Sequence, residues 1–126
     1  MTGWHFLKDD RRLQHAPYTL VEVGQTLTHV GPIELCKSGF HASARAIDAL
    51  QYAPSAVACC VELNGEIIHD TDKAVARSRT CIAMIDATST LHEFACWCAE
   101  TALNAERVAG REPDPRSWEA VKVKRR

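Results

Sequence analysis

Alternation of apolar and polar residues is clearest in residues 56–69, "AVACCVELNGEIIH". Val57, Cys59, Val61 and Leu63 share one face, while Ala58, Cys60 and Glu62 share the other. A two-residue period is that of a strand with one buried side. Asn64-Gly65 tolerates positive φ at both positions, so it predicts a type I′ turn and a hairpin of 56–63 with 66–69. The period changes to three and four residues at Ala46, Ile47, Ala49, Leu50 and Ala53, which predicts a short helix over about 44–53. Ser43 is placed to cap it and Pro54 to end it. Leu91, Phe94, Ala95, Cys98 and Ala102 predict a longer helix over about 91–108. Thr90-x-x-Glu93 reads as its capping box.

The remaining segments are shorter. "GWHFL" suits a strand, and "YTLVEVGQTLTHVG" suits two, with a turn at Gly24. Gly31-Pro32 is a turn, after which "IELCKSGFHAS" returns as a strand kinked at Gly39. "DKAVARSRTCIAMIDA" fits either a helix or a strand containing Thr80 to Ile85. The expected class is therefore α+β, mostly antiparallel strands with one short and one longer helix. Residues 1–109 form the expected globular domain. Residues 110–126, "GREPDPRSWEAVKVKRR", read as a charged tail, extended or partly ordered.

Composition narrows the function classes. With 126 residues, 46% hydrophobic and 25% charged, the chain matches one ordinary globular domain. A net charge of −1 gives no overall field toward nucleic acid or membrane. Lys122, Lys124, Arg125 and Arg126 at the end could contact phosphate, but a solvated terminus is the simpler account. No apolar run approaches the roughly 20 residues of a membrane span. The opening Met-Thr-Gly-Trp-His lacks the pattern of a signal peptide, so a cytoplasmic location is expected.

There, the six cysteines would stay reduced. They form no C-x-x-C pair and no zinc-finger spacing, so they read as small buried hydrophobes and no metal is expected. The alternatives are a metal site assembled in space, from Cys36 and His41 with Cys59 or Cys98, or redox chemistry. No G-x-S-x-G or P-loop is present. A Cys36–His41 nucleophile pair has no supporting local signature. Arg77 and Arg79 would share a strand face and could meet phosphate or water. Asp72-Lys73 reads as a turn. Trp97 and Trp118 read as anchors for the long helix and the tail.

Two resemblances sharpen the candidates. From "GWHF" through "VEVGQTL", "LCKSGFHAS", "DALQYA" and "VELNGE" to Asp72-Lys73, the chain resembles an uncharacterised domain of phage and prophage proteins. At the level of pattern it is also similar to the ADP-ribosyltransferase superfamily, especially the poly(ADP-ribose) polymerase branch. His5 stands where that family has an early strand His. "GFHAS" looks like its strand end, with His41 where Tyr is usual. Tyr52 matches its second Tyr, and "CCVELNG" its following strand.

This likeness implies a nucleotide or NAD cleft lined by His5, Gly39, His41 and Tyr52. Tyr52 would stack on nicotinamide, His5 would donate to a ribose hydroxyl, and Gly39 would let backbone approach the ligand. A carboxylate would stabilise the oxocarbenium-like centre during transfer. Three departures stand against catalysis. Phe6 replaces the Gly after the early His, Ala49 replaces the carboxamide-binding Ser, and no late strand carries a Glu. Glu93 and Glu100 are the nearest candidates, and both read more simply as helix residues. The expectation is a small phage-type protein that binds NAD or a related nucleotide, as an ADP-ribosyltransferase or an inactive relative. The alternatives are a non-enzymatic inhibitor of a host protein and a zinc-binding module.

Overall fold

The computed structural model describes residues 1–126. In chain order it contains β1 (Thr2–Leu7), β2 (Thr26–Thr28), β3 (Phe40–Ala42), α1 (Ala46–Leu50), β4 (Val57–His69), β5 (Ala74–Asp86), α2 (Thr88–Val108) and α3 (Pro115–Arg125). The fold is α+β, with an antiparallel sheet of five strands. Contacts divide the chain into two compact units, Met1–Asp86 and Ala87–Arg126.

The first unit is organised by the β4–β5 hairpin. Its turn is at Asp70–Lys73, where the Asp70 amide donates to the Lys73 carbonyl at 2.8 Å. The expected turn at Asn64-Gly65 lies inside β4 instead. Pairing passes from Asn64–Ser78 to Ile67–Ala76, so Gly65 and Glu66 together oppose Arg77. Gly65 has φ +79°. A bulge and a primed turn both need a residue at positive φ, and here the bulge takes it. A second bulge leaves Ile82 as the extra residue between the Cys60–Ala83 and Val61–Cys81 pairs. The ambiguous segment after Asp72 is strand as far as Asp86.

β1 pairs with β4 on one side of the hairpin. On the other side, β2 and β3 pair with successive stretches of β5. The ring of strands closes where Trp4 and Ser43 exchange backbone bonds: Trp4 N to Ser43 O at 2.7 Å, and Ser43 N to Trp4 O at 2.9 Å. Leu7, Cys59, Val61, Leu63, Ala76 and Cys81 fill the interior, with Leu7 and Leu63 at 0% exposure. Each leucine of that kind contributes about 1.5–3 kcal/mol by leaving water. The alternation expected in 57–63 is therefore the alternation of the core.

The closure reshapes what precedes β4. Ser43 is buried in the Trp4 bridge, and Arg45 holds the N-cap position of α1 without a side-chain bond. The helix shrinks accordingly from the expected 44–53. Only Phe40–Ala42 of the expected "IELCKSGFHAS" strand pairs with β5, because Glu34–Ser38 folds into a turn with Cys36 at φ +65°. Of the two strands expected in 18–31, only β2 forms, since the Val21 amide bonds the Arg11 carbonyl.

The second unit is a pair of helices. Ala87 precedes α2 without a side-chain cap, and Thr90-x-x-Glu93 lies inside the helix, so no capping box forms. Glu93 instead pairs with Arg125 at 2.8 Å, and Glu100 also meets Arg125. Within the segment expected to be an extended or partly ordered tail, residues 115–125 form α3. Asp114 caps it by accepting from the Arg116 amide at 2.9 Å, and Pro115 supplies a preset φ for the first turn. Lys122, Lys124 and Arg125 lie in the last turn, where the helix dipole favours them. Trp118 lies under the Arg107 guanidinium at 4.2 Å. Trp97 is not an anchor: it is 57% exposed and stacks on Phe94. No helix is long and apolar enough to cross a membrane.

A Cβ on Gly3 would lie 2.9 Å from the Ser43 carbonyl oxygen, at the point of closure. Gly3→Ala is therefore expected to destabilise the protein by about 1–3 kcal/mol in urea unfolding. Val30→Ala, at a position 93% exposed, should stay within about 0.5 kcal/mol of the parent.

Candidate functional site

The first unit carries a cleft of about 640 Å³, within the usual range for small-molecule sites. It is bounded by β1, the loop before β2, the turn at Cys36–Ser38, β3, the end of α1 and Lys73, with Arg79 among its lining residues. His5, Gly39, His41 and Tyr52, the four candidates read from the sequence, all line it. They converge because ring closure brings β1 beside β3, and the hairpin turn brings Lys73 beside α1.

His5 lies opposite Cys59 on the β1–β4 ladder and is half-buried. Burial, followed by the charge of Arg79 and the neighbouring His41, holds its pKa well below the ordinary value. His41 is also lowered, first by burial and then by Arg79, Lys73 and His15. Its Nε2 accepts the Cys36 amide at 2.9 Å, which requires an unprotonated nitrogen. Both rings are neutral imidazoles at pH 7.

Gly39 has φ +103°, and a Cβ there would meet Val75 Cγ2 at 2.7 Å. The room it leaves is occupied by the sheet, so packing alone accounts for glycine at this position. Tyr52 is 47% exposed at the rim. Its hydroxyl donates to Asp72 Oδ2 at 2.6 Å, and the Lys73 ammonium lies 4.9 Å from its ring centre. Asp72 and Lys73 do lie at the hairpin turn, but Asp72 is engaged with Tyr52 and Gln51.

The two arginines of β5 part ways. Arg77 donates to the His29 and Gly31 carbonyls and pairs with Glu66. Arg79 is 5% exposed and forms a single hydrogen bond, from Nη1 to the His41 carbonyl at 2.7 Å. Phe40 presents its ring 5.1 Å from the guanidinium carbon. Burial brings the pKa of Arg79 down to about 10, so it remains charged at neutral pH. The nearby Cys59 thiol is pushed up to about 12, chiefly by burial, and supplies no counter-charge.

Around this cation the cleft lining includes Lys37, Lys73 and four histidines, but no aspartate or glutamate. Trp4, Phe6, Phe40 and Tyr52 give it aromatic surface. Ala49 and Phe6 are among the lining residues, so two of the departures from the transferase pattern fall within the cleft. Glu93 and Glu100 belong to the second unit and pair with Arg125. Sequence reasoning gave no role to His15, His29 or Lys37, because a polar loop residue carries no local sign of the wall it will join.

The cysteines are all free. Cys59, Cys81 and Cys96 are buried, whereas Cys36 and Cys98 are exposed. No group of three or more His, Cys, Asp or Glu side chains is arranged to hold a metal ion. Cys59 has Cys81 as its neighbour rather than the Cys36–His41 pair. A family model described as a domain of unknown function (DUF7666) matches residues 1–93. No curated protein and no solved structure matches the chain.

Because both imidazoles titrate below 6.5 in the folded chain, the unfolded chain takes up protons first as pH falls. Their contribution to stability is complete above about pH 6.5 and is lost as pH drops toward the folded values. The melting temperature is expected to fall between about pH 7 and 5, and His5→Gln should flatten that slope.

Proposed function

The chain belongs to the DUF7666 family, and we propose that its cleft binds an anionic ligand bearing a flat ring, of the NAD or ADP-ribose class. One observation carries the reading: in a chain with 16 acidic residues, a cleft wall holds three fixed cations and no carboxylate. Such a wall focuses positive potential into a low-dielectric hollow and selects anions. The aromatic side chains suit a base or a nicotinamide ring. The likeness to ADP-ribosyltransferases, carried by His5, Gly39 and Tyr52, points to the same ligand class.

Within that reading the residues divide the work. Tyr52 stacks on the ring at the rim, held by Asp72. The neutral His5 can donate or accept toward a ribose hydroxyl. Lys37 and Lys73 meet phosphate. With Ala49 in place of a carboxamide-binding Ser and no carboxylate on the wall, binding without transfer is the role that fits. The protein is then a nucleotide-binding member of a phage or prophage family, working in the host cytoplasm.

A second reading, an inhibitor that occupies a host protein, draws on the exposed Phe94–Trp97 pair of α2. A stoichiometric host partner retained by Tyr52→Ala and lost on Trp97→Ala would favour it.

Calorimetry with NAD⁺ and ADP-ribose tests the main reading. Saturable heat is expected, weakening as salt rises. Tyr52→Ala should lower affinity by roughly twofold to tenfold. An absence of heat at millimolar ligand, with folded protein, ends the proposal.

A further inference from the structure

Arg79 is the cation that the protein itself leaves least satisfied. Several more exposed arginines have acidic partners: Arg77 has Glu66, Arg107 has Glu112, and Arg125 has Glu93. The buried one has none. A guanidinium carries five N–H donors in a fixed fork, and here one hydrogen bond, to the His41 carbonyl, engages it. The face of Phe40 adds a cation–π contact but accepts no N–H in the plane of the fork.

Two spaces border Arg79. On one side is a void of about 10 Å³, shared with His5, Gln25, Cys59 and Cys81. That is about the volume of a single water site, and it is too small for an anion. On the other side is the cleft of about 640 Å³. Of these two spaces, only the cleft is large enough to bring a ligand oxyanion to the fork.

Resting on the cleft reading above, we propose that Arg79 is an oxyanion subsite at the inner end of the cleft. It takes a phosphate of the ligand's diphosphate, or the oxyanion of a simple phosphate or carboxylate, in a two-point contact. The planar fork matches either group, and bidentate contact adds direction as well as strength. The Phe40 ring and the His41 carbonyl hold the guanidinium flat and fix which edge is offered. The neutral imidazoles of His5 and His41 add no competing charge. Rim lysines bring an anion to the cleft, and Arg79 fixes its position.

The experiment follows the Arg79 Nε–H resonance of ¹⁵N-labelled protein during titration with inorganic phosphate, acetate and ADP-ribose. Arg79→Lys identifies the peak by its loss. At least one anion is expected to move that resonance saturably and raise the melting temperature. A stronger response to phosphate than to acetate assigns the subsite to phosphate, and the reverse assigns it to carboxylate. Arg79→Met removes a buried charge without stranding a partner charge, so it should fold with an unchanged or higher melting temperature. It should also lose about a hundredfold in ADP-ribose affinity, and Arg79→Lys about tenfold.

An Arg79 resonance that ignores all three probes overturns the proposal; this reading is made on the wild-type protein, with Arg79→Lys used only to assign the peak. ADP-ribose bound equally by the wild type and Arg79→Met also overturns it, while leaving the cleft reading intact. The converse, phosphate moving Arg79 while neither NAD⁺ nor ADP-ribose binds, removes the dinucleotide reading and keeps the subsite.

Discussion

Taking the Arg79 guanidinium out of water carries a penalty of several kcal/mol, even after local relaxation. The usual remedy is a buried carboxylate, and none is supplied. Relief comes from one carbonyl, one aromatic face and the cleft itself. Its neighbours adjust to that charge. His5 and His41 stay neutral partly because Arg79 repels their protons. Glu66 and Glu106 pair with more exposed arginines away from the cleft lining, and Glu34 pairs with Lys37 at its rim.

The sheet makes such an arrangement possible by closing on itself. An open sheet would leave β1 and β3 on separate edges, with Arg79 nearer to solvent. The Trp4–Ser43 bridge joins those strands, and the bulges at Gly65–Glu66 and Ile82 fall in the two long strands that must curve. Closure turns the inward face of β5 into the wall between a packed core and a cleft. Cys81 falls on the core side, and Arg79, two residues earlier, reaches the cleft. Gly3 and Gly39 matter for the same reason, since each leaves room where backbone or side chain of another strand must pass closely.

Much of this was legible wherever the signal is local and repeated. The β4 alternation, the β1 strand and the long helix follow from apolar period alone. The misreadings come from signals that have more than one structural use. Asn64-Gly65 encodes positive φ, and only the partner strand decides between turn and bulge. Thr90 and Glu93 have capping-box spacing, but the helix starts before them. Asp114-Pro115 is a good helix start, hidden in a segment whose charge suggested a tail. His5, His41 and Tyr52 could be brought together only through a family likeness, because nothing local encodes ring closure. Arg79 was hardest to place: an arginine in an alternating strand defaults to solvent, and its burial depends on strands far from it in sequence.

The charge pattern also bears on what chemistry such a cleft could support. Loss of nicotinamide from NAD⁺ builds positive charge on the ribose. That charge comes from the pyridinium nitrogen bonded to the same carbon, so it moves by little more than a bond length, and a guanidinium several ångströms away discriminates weakly between ground and transition state. A transferase stabilises that charge with a carboxylate beside the ribose, and none lines this wall. The lysines and Arg79 that would draw phosphate into the cleft would supply none of that stabilisation. On the proposed reading, such a cleft has groups to hold a nucleotide and lacks the carboxylate that cleavage would need.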